Sequence, residues 1–482
     1  MSPSSLANFA WWSYVASAAY LMTLVGMFAW MMAVATRENR LRAREARLED
    51  FDTLLTSPFT IPVSIIAPAF NEEVGIYASV RSLLELEYPE YEVIVVNDGS
   101  RDGTLTELAR AFDLEVVEAE ARPSLPASAI RGVYRSPSYP RLTVIDKVNG
   151  GKADALNCGI NFARFRYICC VDTDTVYYPT ALLKGMRLIV QDPATVVGVT
   201  SQVALSRHPE RTAVSDRRID RHPLIAYQTF DYLRAFVAAR LAWSAGNYML
   251  CSVGAFAIWR RDVVLELQGF SRSFTCEDIE FTFRVHRHFR KTGTLYRVHS
   301  LTDPVGVTEG PQSIRSLVSQ RARWQRVIAE TVWSYRGMLC NPRYGTVGCV
   351  GMPYYVAAEV LAPVFQLLAV IAVPVAAMAG VLRWDDLLRT LAILALGNGI
   401  FTSAAILLQE RAFRTFSARD LPYMIALGPL ELFLYRPFIM FAQVKGTIDF
   451  LFGDREWHKF ERNRREADVM LPARSTNALR QE

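Results

Sequence analysis

From Phe9 to Thr36 the chain carries no charged residue, and this run constrains the fold more than any other feature. At about 1.5 Å rise per residue, a helix over it crosses a hydrocarbon layer about 30 Å thick. It is too long for the apolar core of a cleaved leader, and no small-residue cleavage site closes it. The arginine-rich segment Arg37 to Arg47 follows. Basic flanks stay on the cytoplasmic side, so the N-terminus is expected outside; the alternative is a buried helix of a soluble protein. Apolar runs return late in the sequence. Pro353–Leu382 holds one charged residue, Glu359, Leu391–Leu408 holds none, and Leu421–Val444 contains Glu431, Arg436 and Pro437. The first two are expected spans. The third is ambiguous, because charge inside a bilayer is expensive and faces protein or water. Three C-terminal spans would put the tail outside, yet Arg455, Lys459, Arg462, Arg464 and Arg465 argue for inside. A re-entrant or broken hairpin around Pro437 would reconcile the two.

Between Asp52 and about Trp333 charges are spread throughout, as in a soluble domain. Val63–Ala67 and Glu92–Val96 read as strands on either side of a helix at Glu72–Leu86, a βαβ unit that predicts a partly parallel sheet covered by helices. Further strands are expected at Leu142–Ile145, Tyr167–Val171, Val196–Thr200 and Val253–Trp259. In such sheets ligands sit beyond the carboxyl ends of the strands. The seven cysteines contain no C-x-x-C pair, and the adjacent Cys169 and Cys170 read as small core residues. His286-x-His288 lacks the partner cluster that zinc needs. A formal charge of +5 is too mild for nucleic-acid binding and suits an anionic membrane surface and phosphate ligands.

The residues just after each run carry the chemistry. Pro68-Ala-Phe-Asn71-Glu72-Glu73 follows the first strand and Asn97-Asp98-Gly99-Ser100 the second. The latter is a plain turn, or else Asp98 accepts hydrogen bonds from a base or ribose. Asn149-Gly150-Gly151-Lys152 places a glycine pair and a lysine at a helix start, where free amides and an ammonium suit a phosphate; it is not a P-loop. Tyr167–Val171 ends in Asp172-Thr173-Asp174. On an extended backbone these two acids point the same way and repel unless a cation or proton sits near. A hard divalent ion that also binds a diphosphate is the economical explanation, and a solvated turn is the alternative. Thr275-Cys276-Glu277-Asp278 is either a helix capping box or the seat of a general base, Asp278. Gln320, Arg323 and Trp324 share one helix face. There Arg323 suits a diphosphate and Trp324 a sugar ring, or the pair anchors an interfacial helix.

Together these motifs resemble the processive family 2 glycosyltransferases, the group of the bacterial cellulose, chitin, hyaluronan and poly-N-acetylglucosamine synthases. The resemblance runs from about Ile61 to Trp324, ends in Q-x-x-R-W, and extends to the flanking membrane segments. It implies an α/β GT-A (Rossmann-like) cytosolic domain plus α-helical transmembrane segments, a UDP-sugar donor, and inversion to a β-linkage. By position it implies Asn71, Glu72, Asp98, Lys152, Asp172 and Arg323 on the donor side and Asp174, with Asp172, on Mg²⁺ or Mn²⁺. It further implies Asp278, beside Glu277, as the base, and Cys251, Ser252, Gln320 and Trp324 on the acceptor side. One departure stands out: Cys276 occupies the place of the family's threonine before Glu-Asp.

The expected organisation is an N-terminal helix and basic linker over residues 1–51 and a catalytic domain over 52–310. An interface helix over 311–345, transmembrane or re-entrant helices over 346–452 and a polar tail over 453–482 follow. The expected function is elongation and export of a β-linked extracellular polysaccharide from UDP-N-acetylglucosamine, otherwise UDP-glucose. The expected location is the inner (plasma) membrane, multi-pass, with the catalytic domain cytoplasmic. The partners are the donor, a growing polysaccharide or lipid acceptor, the membrane and a candidate accessory membrane subunit, with no nucleic acid. The alternative is a non-processive enzyme adding one sugar to a lipid.

Overall fold

The computed structural model describes residues 3–46, 55, 60–118, 124–214, 219–378, 380, 383–413 and 416–453. Linker residues 47–51 and the basic tail after residue 453 lie outside the described residues.

Alternation of β-branched residues builds the centre of the molecule. In β1 (Val63–Ala69) Val63, Ile65 and Ala67 enter one core cluster and Ile66 the other. β2 (Tyr91–Asn97) repeats the pattern, with Val93 and Val95 on one face and Ile94 and Val96 on the other. Buried on both faces, such strands pair in parallel and need helical crossovers. α2 (Ile76–Leu84) provides the first, shorter at its start than expected because Glu72–Gly75 form the turn that leaves the strand. α3 (Thr104–Phe112), β3 (Glu115–Val116), β4 (Ile130–Arg135), β5 (Leu142–Lys147) and α4 (Lys152–Phe162) follow. Cys169 and Cys170 of β6 (Tyr167–Val171) are both buried and face opposite core clusters.

After β7 (Thr175–Tyr177) and α5 (Ala181–Gln191) come β8 (Val196–Ser206), α6 (Pro223–Leu233), β9 (Phe256–Arg260), α7 (Glu277–Thr292) and β10 (Arg297–Glu309). The ten strands form one sheet in the order β3-β4-β5-β2-β1-β6-β9-β8-β10-β7. β5, β2, β1 and β6 are mutually parallel, while β9 runs against β6 and β8. The order reverses between β1 and β6, which opens a crevice at their carboxyl ends. β9 starts three residues later than expected, so Val253–Ala255 form a loop facing that crevice. β10 has no counterpart among the expected strands. Register shifts around Pro304 break its alternation.

Among the described residues three helices are long and apolar enough to cross a membrane: Trp11–Leu41 within α1 (Pro3–Ala46), Val347–Met378, and Trp384–Arg411. The second ends in α9 (Ala362–Met378), and the third belongs to α10 (Trp384–Phe413). Tyr20 stacks on Phe365 at 4.1 Å and Phe28 meets Phe401 edge-on at 5.0 Å, so α1 packs against both. Residues Ile393, Leu396 and Ile400 of α10 are exposed along one side, as on a lipid-facing surface.

The ambiguous apolar block folds as a broken hairpin of α11 (Asp420–Leu427), α12 (Glu431–Leu434) and α13 (Arg436–Phe452). Its turn is at Gly428–Leu430, ahead of Pro437, which sits in the first turn of α13 where its missing N–H is harmless. A Cβ on Gly399, in the middle of α10, would lie 2.8 Å from Pro429, so the turn reaches halfway along that helix. Glu431 is fully buried and paired with Arg234 at 2.7 Å and Arg436 at 2.9 Å. Asp231 pairs with Arg234 at 2.7 Å and accepts from the Tyr435 hydroxyl at 2.7 Å. The charges that made this block ambiguous thus face protein. α13 then returns along α8 (Ile314–Ser334), where a Cβ on Gly446 would lie 2.1 Å from the Ala322 carbonyl oxygen. Only a glycine permits so close a crossing.

Candidate active site

Four strand ends supply one wall of the crevice. After β1, Asn71 takes a left-handed conformation (φ 53°), which asparagine tolerates better than most residues. Its side-chain oxygen accepts from the Arg101 amide at 2.8 Å, and the Glu72 amide donates to Thr104 at 2.8 Å. Both residues therefore clasp the loop after β2.

Asp98, at the end of β2, is buried. It pairs with the Lys147 ammonium and accepts from the amides of Gly150 at 3.0 Å and Gly151 at 2.8 Å. The sequence suggested that these amides are open to a phosphate; instead Asp98 takes them. Lys147, with no exposed surface, also pairs with Asp154 at 2.6 Å, and Arg272 reaches Asp154 at 2.8 Å. Burial opposes charge on Asp154, but Lys147, the Ser128 amide and Arg272 outweigh it and hold the carboxyl below its ordinary value. This closed knot of two acids and two bases fixes the Gly150-Gly151 turn and thereby the start of α4. Gly151 has φ 86°, a conformation that favours glycine.

Lys152 opens α4 and points into the crevice. Its ammonium lies 2.7 Å from Asp172 and 3.1 Å from Glu277. Burial works against its charge, yet Asp172, Glu277 and Asp278 together raise it well above its ordinary value. One lysine thus joins the strand-end acid to the acids that open α7.

Asp172 and Asp174 do not continue the extended strand. Thr173 and Asp174 form a turn into β7. The Tyr177 hydroxyl donates to the Ala255 carbonyl oxygen (2.6 Å), accepts from the Asp172 amide (3.0 Å) and lies 3.1 Å from the Asp172 carbonyl oxygen, while the Thr173 hydroxyl donates to Pro68 at 2.9 Å. The two carboxylates consequently have different partners. Asp172 meets Lys152, whereas Asp174 accepts from the hydroxyls of Thr175 at 3.1 Å and Thr308 at 3.3 Å. Lysine thus relieves part of the repulsion expected between the pair.

Opposite stands the start of α7. Its N-cap is Cys276, with no side-chain cap bond, so the alternative capping box led by Thr275 does not form. Burial raises the Glu277 carboxyl above its ordinary value, against the pull of Lys152. Asp278 Oδ1 accepts from the Ile279 amide at 2.7 Å and the Cys276 thiol at 3.0 Å. Asp278 Oδ2 accepts no hydrogen bond among the described residues. A Cβ on Gly254 would lie 3.0 Å from that oxygen and 2.9 Å from the Lys152 nitrogen, so the bare glycine keeps a gap open between them. Ser252 braces this corner by donating to the Asp278 carbonyl at 2.9 Å. The Cys251 sulfur accepts from Arg240 at 3.2 Å.

The α8 helix carries Gln320, Arg323 and Trp324. Burial lowers the Arg323 guanidinium, while Cys276, Glu277 and Asp172 act on it in the other direction, which places it beside both halves of the crevice. Trp324 lies between Tyr232, with ring centroids 6.5 Å apart, and the Arg321 guanidinium at 4.4 Å. The Gln320 side-chain oxygen is buried without a hydrogen-bond partner. Such an orphan acceptor suits a ligand hydroxyl or amide.

Among the described residues no group of three His, Cys, Asp or Glu could hold a metal by itself. Asp174 nevertheless fits a hard ion such as Mg²⁺ or Mn²⁺, which takes few carboxylates and completes its shell with phosphates and water. Asp172 fits less well while it holds Lys152. Sequence reasoning missed Lys147, Asp154, Tyr177, Gly254 and Thr308, none of which it had given a role.

Residues 64–239 match the glycosyl transferase family 2 model, and residues 167–400 the glycosyl transferase family group 2 model. The poly-beta-1,6-N-acetyl-D-glucosamine synthase of Staphylococcus epidermidis is 24% identical over 284 residues, covering 56% of this chain and 57% of that protein. The protein of the same name from Staphylococcus aureus strain COL is 23% identical over 265 residues, covering 54% and 53%. The chain thus spans little more than half the length of these relatives. A mannosyltransferase of Pyrobaculum calidifontis, solved with GDP-mannose and Mn²⁺, superposes with a TM-score of 0.53 at 18% identity over 90% of this chain and all of that one. That likeness is one of the α/β GT-A fold. The two family models overlap and together span residues 64–400, more than half of the sequence, and the chain belongs to glycosyl transferase family 2.

Proposed function

We propose that this chain transfers a sugar from a UDP-sugar to the end of a growing β-linked polysaccharide, with inversion, on the cytoplasmic side of the inner membrane. UDP-N-acetylglucosamine is the favoured donor, because the staphylococcal relatives carry poly-N-acetylglucosamine in their names; UDP-glucose is the other candidate. The observation that carries the reading is Asp278, whose Oδ1 is tied down while Oδ2 is left open toward the Gly254 gap. A carboxylate so placed takes the proton of an acceptor hydroxyl as that oxygen attacks the anomeric carbon.

The rest of the site divides around that step. Lys152 and Arg323 stand beside the diphosphate and stabilise charge building on the leaving UDP. Asp174, with Asp172, would hold Mg²⁺ or Mn²⁺, which when bound neutralises the same phosphates. Asp98 reaches the nucleotide chiefly by fixing the Gly150-Gly151 turn, and Asn71 and Glu72 shape the rim. Gln320, Trp324, Cys251 and Ser252 border the acceptor. The apolar helices next to α8 give the polymer a route out of the cell, with or without an accessory membrane subunit.

Asp278→Asn tests the assignment. Membranes carrying each form are given labelled UDP-N-acetylglucosamine or UDP-glucose, and UDP release and product length are measured. Loss of transfer with retained UDP binding is expected; full activity would sink the base assignment. A wild-type product of one sugar on a lipid would replace polymerisation with the single-addition alternative.

A further inference from the structure

Position 276 is where this chain departs from its family's pattern, and the departure sits on the proposed base. We propose that Cys276 is a positioning residue: its thiol donates to Asp278 Oδ1 and so holds Oδ2 toward the acceptor hydroxyl. The inference rests on the reading of Asp278 as base.

The geometry assigns this work to the thiol. Cys276 precedes α7 in an extended conformation (φ −134°, ψ 108°), which turns its side chain back toward the first helical turn. The sulfur lies 3.0 Å from Oδ1, and the Ile279 amide lies 2.7 Å from the same atom. Two donors on one oxygen fix the carboxylate plane, where a single donor would leave it free to swing. Cys276 can serve only while protonated. Burial, then Asp278 and Glu277, raise its thiol well above the ordinary value, so the proton is kept throughout the working range. The same conditions make it a poor nucleophile and a poor metal ligand, which leaves hydrogen-bond donation as its chemistry.

Several charged or titratable groups surround Asp278. Lys152 faces it from α4, Glu277 and Cys276 from its own helix end, and Cys251 from the loop before β9. Asp172 after β6 and Arg323 on α8 lie one step further out, through Lys152 and Glu277. Of these, Cys276 alone supplies a hydrogen bond to Oδ1 among the described residues.

Valine and threonine have the same shape and differ by one hydroxyl donor, so Cys276→Val and Cys276→Thr separate donation from packing. UDP release by full-length enzyme in membranes is measured, with kcat and KM for the donor. The valine form should lose about tenfold in kcat, the scale of one weak hydrogen bond to a charged group. Its KM for the donor should stay within about twofold. Threonine should restore kcat. If these forms fail to fold, Cys276→Ala and Cys276→Ser repeat the comparison. Equal kcat for donor and non-donor forms would overturn the proposal. An inactive Asp278→Asn alongside that result would confine the failure to Cys276, whereas an active one would remove the base reading itself.

Discussion

Replacing Gly254 by alanine would put a methyl carbon 2.9 Å from the Lys152 nitrogen and 3.0 Å from Asp278 Oδ2. An ordinary contact needs about 3.4 Å, so each group must retreat by roughly half an ångström, and the gap between them is filled. Misplacing reacting groups by about 1 Å costs on the order of 10²-fold in rate. Both neighbours are tips of flexible side chains and Gly254 does not have a positive φ, so the fold should tolerate the methyl group. Gly198→Ala makes the opposite case. Its Cβ would lie 2.3 Å from the ring of Trp259, a fully buried side chain with nowhere to go. That overpacking should cost about 1–3 kcal/mol of stability while sparing the rate of folded molecules. Initial rates of UDP release and melting temperatures in detergent distinguish the two. A wild-type rate for Gly254→Ala would refute the reasoning, as would a fall in melting temperature as large as that of Gly198→Ala.

Lys147→Met should destabilise the protein by about 3–5 kcal/mol at neutral pH, because two buried carboxylates lose their shared cation. Asp154 is held below its ordinary value of 3.8, so in the parent its contribution is present above that pH and lost as the pH falls below it. Melting of the variant should therefore depend less steeply on pH at the acid end, and an unchanged slope would argue against the knot. His286 is fully buried between the Tyr296 hydroxyl at 2.6 Å and the Met249 carbonyl at 2.7 Å, and burial lowers it to about 4 from 6.5. The unfolded chain then binds the extra proton, so stability is full above about pH 6.5 and falls toward pH 4, by up to about 3 kcal/mol. Melting temperatures across that window should fall more steeply for the parent than for His286→Gln, and parallel curves would count against it.

The parallel half of the sheet could be read from the sequence because its strands are buried on both faces. Val63–Ala67 and Glu92–Val96 announce themselves as apolar runs, and each is followed by the residues that line the crevice. Lys152, Asp172, Glu277, Asp278 and Arg323 do converge, although 171 positions separate the first from the last. The pattern fails where tertiary partners decide. β10 is interrupted by Asp303-Pro304 and held in the sheet through register shifts, so no alternation marks it. The divergence of Asp172 and Asp174 depends on the Tyr177 hydroxyl, which serves three groups at once. The glycine amides next to Lys152 looked open because Asp98, their partner, lies about fifty residues earlier.

The ion cluster at Glu431 has a bearing on how such enzymes can be taken apart. Arg234 opens the π-helical segment (Arg234–Arg240) that continues α6, yet its guanidinium is neutralised by a carboxylate 197 residues later in the chain. Arg321, next to Gln320, shares Asp231 with Tyr435 and Arg436. A chain shortened at residue 345 to obtain a soluble catalyst would strand those arginines and strip the far side of α8 of the helix that crosses it at Gly446. Exchange of C-terminal helices between relatives meets the same obstacle unless Asp231, Arg234 and Arg321 travel with Glu431, Tyr435 and Arg436. The catalytic half and the apolar half are a single inheritance, and changes of product that require new helices must bring new charges to the sheet side as well.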